Sequence, residues 1–148
     1  MNKPWIVMAA AAGFLLALAG VGFAATGGSA PEVGTLLEAR QEVPKPKAAA
    51  GAGLFTASLR GSKLTWRMTF TKLTGPASGG AHIHIAPRGK ANPKPAVALC
   101  GPCKPGQRGT ATVTAEVVKA IRSGRAYVNV HTEKNPAGEI RGQLAIVG

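Results

Sequence analysis

Leu64-Thr65-Trp66-Arg67-Met68-Thr69-Phe70-Thr71 sets a large apolar side chain beside a polar or charged one at every step. Successive side chains on a β-strand point to opposite faces, so the apolar residues share one face and the threonines and Arg67 the other. That pattern predicts a strand in an antiparallel sheet with one buried face and one solvated face. Upstream, Leu54-Phe55-Thr56-Ala57-Ser58-Leu59 reads as a second strand, with Arg60-Gly61-Ser62-Lys63 as the hairpin turn between the two. Working outward, further strands are expected at Thr35–Glu42, Ala81–Ala86, Ala96–Cys100, Gly109–Val113, Ala126–His131 and Glu139–Val147. Gly75-Pro76, Asn92-Pro93, Asn135-Pro136 and Gly138 punctuate them at the short spacing of a sandwich or barrel. One helix breaks the pattern: Thr114 caps it, Glu116 lies in its first turn, and Gly124 follows its end after Ile121. Val117, Ala120 and Ile121 are its core-facing residues.

The N-terminus has a different address. Lys3 precedes an uncharged apolar run from Trp5 to Ala25, and Gly22-Phe23-Ala24 puts small residues where a signal peptidase needs them. Residues 1–30 therefore read as a signal peptide and a small, polar tether, with the domain at residues 34–148. An uncleaved run could instead anchor the chain in a membrane, the one membrane contact foreseen. Export places the protein in the periplasm or outside the cell. About 115 residues remain after the signal, enough for one domain.

Charge and composition exclude several functions. The chain of 148 residues has a formal charge of +12. Its cations are scattered, apart from Arg88, Lys90 and Lys94 in a Pro/Gly-rich stretch, and aromatic residues are 5% of the chain. A nucleic-acid surface needs a basic stripe with stacking platforms, so no nucleic-acid partner is expected. Solubility and attraction for anionic solutes account for the charge. All six acidic residues are Glu, which removes Asp-based catalytic triads and weakens Asp-built calcium loops. No catalytic residue is assigned.

The chain has three histidines: His82, His84 and His131. On its strand, the His82/His84 pair faces away from Ile83 and Ile85, and isoleucine is the better core residue. Likewise Val128 and Val130 take the core and send Tyr127, Asn129 and His131 outward. All three imidazoles thus fall on an outward face, expected to be exposed, where they form a candidate metal site. Neutral imidazoles suit copper and zinc, and the alternative is three exposed polar residues on unrelated strands. Tyr127, Asn129, Glu133 and Glu139 are the candidates to orient the ligands. Glu139 and Arg141 are also expected to pair on a solvated strand face.

Leu73-Thr74-Gly75-Pro76-Ala77 leading to Ala81-His82-Ile83-His84 resembles the CHRD (chordin) domain. So do Gly124 to Thr132, the run Asn135-Pro136-Ala137-Gly138-Glu139-Ile140-Arg141-Gly142-Gln143, and Glu42-Val43-Pro44 near the start of the domain. The resemblance implies an all-β, Greek-key/immunoglobulin-like β-sandwich with one short helix, of the type exported by bacteria. The histidine arrangement alone is also similar to the copper site of copper–zinc superoxide dismutases. There a His-x-His strand pair and a later strand histidine hold copper on the outside of a Greek-key barrel. The bridging histidine and the zinc-site Asp have no counterpart, so the similarity implies a single copper ion with an open position. The readings that follow are copper handling or redox chemistry, a metal-free interaction module engaging an envelope protein or glycan, or a superoxide dismutase-like enzyme.

Cys100-Gly101-Pro102-Cys103 sits in a Pro/Gly-rich loop, and in an exported chain such a pair reads first as a disulfide. Thiolate ligation of copper and a redox dithiol are the alternatives. The latter lacks the βαβ setting it needs.

Overall fold

The computed structural model describes residue 30 and residues 32–147. The expected signal peptide and tether lie outside these apart from Ala30. The Lys63–Thr71 strand (β3) alternates exposed and buried along its whole length, as its sequence requires. Beside it run Ala52–Arg60 (β2) and Glu32–Glu38 (β1), and on its other side Gln107–Thr112 (β6), all antiparallel. A second group holds Val97–Cys100 (β5), Gly80–Ile85 (β4), Ala126–His131 (β7) and Ile140–Gln143 (β8), again antiparallel. The full order is β5-β4-β7-β8-β1-β2-β3-β6, with the halves joined where Glu38 faces Arg141. The chain crosses between halves after β3, β5 and β6. The result is an all-β, Greek-key sandwich, nearly closed like a barrel.

The core lies between the halves. Leu64, Trp66, Met68 and Phe55 from the first meet Ile83, Val128, Val130 and Ile140 from the second. The one α-helix among the described residues, Ala115–Arg122 (α1), covers one end and buries Val117, Ala120 and Ile121. Thr114 caps it as expected, its Oγ1 accepting from the Val117 N–H at 3.3 Å. Cys100 and Cys103 form a disulfide in the loop after β5.

Three local expectations change. The first strand ends at Glu38, because the chain turns through a 3₁₀ segment at Ala39–Gln41 and folds Glu42 inward. The last strand is broken at Leu144, which donates to the Ala126 carbonyl instead; Ala145–Ile146 (β9) then pairs with β1. The largest change concerns solvent. The outward face of β4, β7 and β8 is covered by the segments after β1 and after β4. Tyr127 Oη donates to the Asn92 carbonyl (3.1 Å) and accepts from its N–H (3.2 Å). Asn135 Oδ1 accepts from the Lys47 N–H at 2.6 Å. The wet face expected at β7 and β8 is a buried polar layer, every residue of both strands being buried.

Candidate metal centre

Adjacent strands carry the histidines to one place. In the β4–β7 register His82 faces Asn129, His84 faces Tyr127, and Gly80 faces His131. A side chain just before Gly80 would strike His131: a Cβ on Gly79 would lie 2.7 Å from that of His131. Small residues therefore leave the room the third imidazole occupies. The ring centroids of His82 and His131 are 4.9 Å apart, those of His82 and His84 5.9 Å, and those of His84 and His131 6.3 Å. One nitrogen from each ring lies within 4.8 Å of the others. Ligands about 2 Å from one ion lie within about 4 Å of each other, so closing the set takes side-chain rotation of about an ångström. His84 is 3% exposed and His131 9%, against the exposed positions expected. The rings border a cavity of ≈ 380 Å³ whose walls include Pro93, Pro95, Thr132 and Pro136, with exposed Glu133 at its edge.

Hydrogen bonding decides which nitrogens are free. A carbonyl oxygen can only accept, so His84 Nδ1 donates to the Lys94 carbonyl (3.2 Å) and His131 Nδ1 donates to that of Pro136 (2.9 Å). With its proton there, a neutral His84 carries its lone pair on Nε2; His131 Nε2 faces an acceptor, Asn129 Oδ1, and its lone pair comes free only when Asn129 moves away. His84 Nε2 and His82 Nδ1 are buried without any partner. Unsatisfied buried ring nitrogens are costly, and a metal ion is one kind of partner that relieves such a cost. Burial first, then the neighbouring imidazoles, holds His82 and His84 below the ordinary imidazole pKa. Burial does the same to His131, against its bond to Pro136. Neutral rings are the ligating form. The three-histidine group could hold one metal ion.

The orienting candidates divide. Asn129 touches one of the three histidines directly: its Oδ1 is 3.0 Å from His131 Nε2, and its Nδ2 donates to Glu42 Oε2 at 3.3 Å. Tyr127 stacks on His84, with centroids 4.9 Å apart and planes 7° from parallel. Burial raises the Tyr127 pKa, so its hydroxyl keeps its proton. Glu133 has no side-chain bond to any histidine. Neither does Glu139, which is fully buried and accepts from Thr74 N–H (2.6 Å), Thr74 Oγ1 (2.6 Å), Thr132 Oγ1 (2.6 Å) and Asn135 Nδ2 (3.1 Å). Burial alone would raise its pKa, but the bonds from Thr132, Thr74 and Asn135 outweigh burial and hold it below the usual carboxylate value. The expected Glu139–Arg141 ion pair does not form, because Glu139 is fully engaged by that network and Arg141 stacks on Tyr127. Cys100 and Cys103 are joined to each other and are not ligands.

Three partners escaped the sequence reading: Glu42 and the carbonyls of Lys94 and Pro136. Carbonyls carry no residue-type signal at all. Asn-Pro flanking the histidine strands (Asn92-Pro93 and Asn135-Pro136) was the available hint that the chain turns back there.

A model of the CHRD domain family matches residues 33–144, well over half of the chain. No curated protein and no solved structure matches it.

Proposed function

The chain belongs to the CHRD domain family, and on that footing we propose that it is an exported module binding one copper ion through His82, His84 and His131. The carrying observation is the convergence of three histidine side chains, two of them with buried, partnerless ring nitrogens. Residues 1–30 would direct export and residues 34–148 form the working domain, periplasmic or secreted. The Cys100–Cys103 disulfide suits an oxidising compartment.

Within the site, His84 and His131 are held by the Lys94 and Pro136 carbonyls, so their rings are oriented before an ion arrives. Asn129 must give up its contact with His131 Nε2 for that nitrogen to ligate. The cavity beside the rings leaves room for a further small ligand. Bound copper would supply one-electron chemistry or a stored ion; the protein's positive charge favours anionic solutes. Zinc is the alternative ion.

Copper titration of the purified protein, followed by EPR, tests the reading. One equivalent should give a type 2 signal that is lost in His82→Ala. Copper binding equal to that of the triple His→Ala variant would refute it. A superoxide-decay assay on the copper-loaded protein then judges a superoxide dismutase-like activity.

A second reading, a metal-free interaction module, is favoured by the bare outward face of the first half. Leu36 and Leu54, 62% and 44% exposed, sit directly opposite each other there. Pull-down of an envelope protein or glycan by metal-free protein, lost in Leu36→Lys, would support it.

A further inference from the structure

Away from the histidine cavity, Arg141 raises a separate question. Its side chain is 1% exposed, its guanidinium carbon lies 3.4 Å from the Tyr127 ring centroid, and its Nη2 donates to Gln143 Oε1 at 3.3 Å. Its Nη1 is buried and has no partner. No carboxylate neutralises it through contact: the one ion pair among the described residues joins Arg40 to Glu38 at 2.8 Å. Nearby Glu42 is engaged elsewhere, Oε1 accepting from the Val43 N–H (2.9 Å) and Oε2 from Asn129. Burial also shifts Glu42 towards its neutral form. A buried cationic group with an unused donor is uncommon in a folded protein unless something binds it.

Arg141 lines a groove of ≈ 560 Å³, within the size range of small-molecule sites. Lys45 and Arg88 stand exposed at its rim, and neither has a carboxylate partner. Val43 and Pro44 give it an apolar wall. One buried planar donor with two rim cations suits a monoanion; a phosphate dianion would need more donors than the floor offers. The apolar wall calls for a carbon body behind the charge.

We propose that this groove binds the carboxylate of an organic anion. The Arg141 guanidinium supplies the buried charge, its Nη1 reached by a small shift of the side chain; Arg88 and Lys45 supply the rim charge, and Val43 and Pro44 pack on the apolar body. A small free acid and the C-terminus of a peptide share this chemistry. The site does not depend on the metal reading.

The test is an NMR titration of the metal-free protein. The ring signals of Tyr127, the single tyrosine, report on Arg141 stacked against it. Benzoate and the free acid and amide of N-acetyl-Ala-Phe are the probes, with inorganic phosphate at matched ionic strength. Benzoate should give a saturable shift, at least tenfold tighter than phosphate. Binding of the peptide acid without its amide would identify a C-terminus as a further source, whereas benzoate alone would point to small acids. Arg88→Ala with Lys45→Ala should weaken benzoate at least tenfold, and these exposed positions leave the fold intact. Arg141→Met should abolish binding if it folds; the rim variant decides if it does not. Absence of a saturable shift, phosphate binding as tightly as benzoate, or a rim variant that binds like wild type would overturn the proposal.

Discussion

The outward face of β3 and the outward faces of β4, β7 and β8 arise from the same period-two rule and meet opposite environments. On β3, Thr65, Arg67, Thr69 and Thr71 are exposed. On the other half, His84, Asn129, His131, Arg141 and Gln143 are buried beneath two covering segments. Alternation therefore separates core from non-core and says nothing about whether the non-core face is wet. On the first face polar side chains are cheap, because water satisfies them. On the second each needs a partner, and those that lack one (His82 Nδ1, His84 Nε2, Arg141 Nη1) mark where ligands are expected.

Substitutions across the two faces should separate them sharply. Glu139→Ala strands bonds from Thr74, Thr132 and Asn135 inside the covered half, and should cost about 3 kcal/mol in urea unfolding. A loss under 1 kcal/mol would mean that the covering segments are held by other contacts. Acidification should act on the same half. The folded-state pKa values of all three histidines lie below the unfolded value near 6.5, so the unfolded chain binds protons first as pH falls. Metal-free protein should then be less stable at pH 5 than at pH 7 by thermal unfolding, and a triple His→Gln variant should lose most of that difference. The Glu139 contribution follows the same sign but is lost only at lower pH, as pH falls through its depressed folded value.

Gly79→Ala pushes a methyl group towards His131 and should weaken metal affinity about tenfold, with little effect on the disulfide loop. Tyr127→Phe removes both bonds to Asn92 and should cost about 1 kcal/mol, loosening the cover over His84. Thr69→Ala, on the wet face of β3, should change stability by no more than about 0.5 kcal/mol. Effects of equal size on the two faces would contradict the distinction drawn between them.

How much was legible follows from range. The strands, the helix cap at Thr114 and the shared face of His82, His84 and His131 depend on neighbours in sequence, and each was readable. The cover was not, because it rests on pairs such as Lys47 with Asn135 and Tyr127 with Asn92, far apart in the chain. Glu139 looked like an exposed strand charge because the threonines that capture it come from two other segments. Arg141 was expected to pair with that carboxylate, and its unpartnered nitrogen became visible once the pairing was seen not to form. Glu42 lay in a readable motif, yet its inward turn depends on Asn129, on a strand distant in sequence.

The most direct test of the proposed metal centre is one equivalent of copper followed by EPR, wild type beside His131→Ala. The account predicts a type 2 spectrum with nitrogen hyperfine structure in wild type, and a weaker, altered signal when the third imidazole is gone. Identical spectra and affinities in the two proteins would contradict a three-histidine centre.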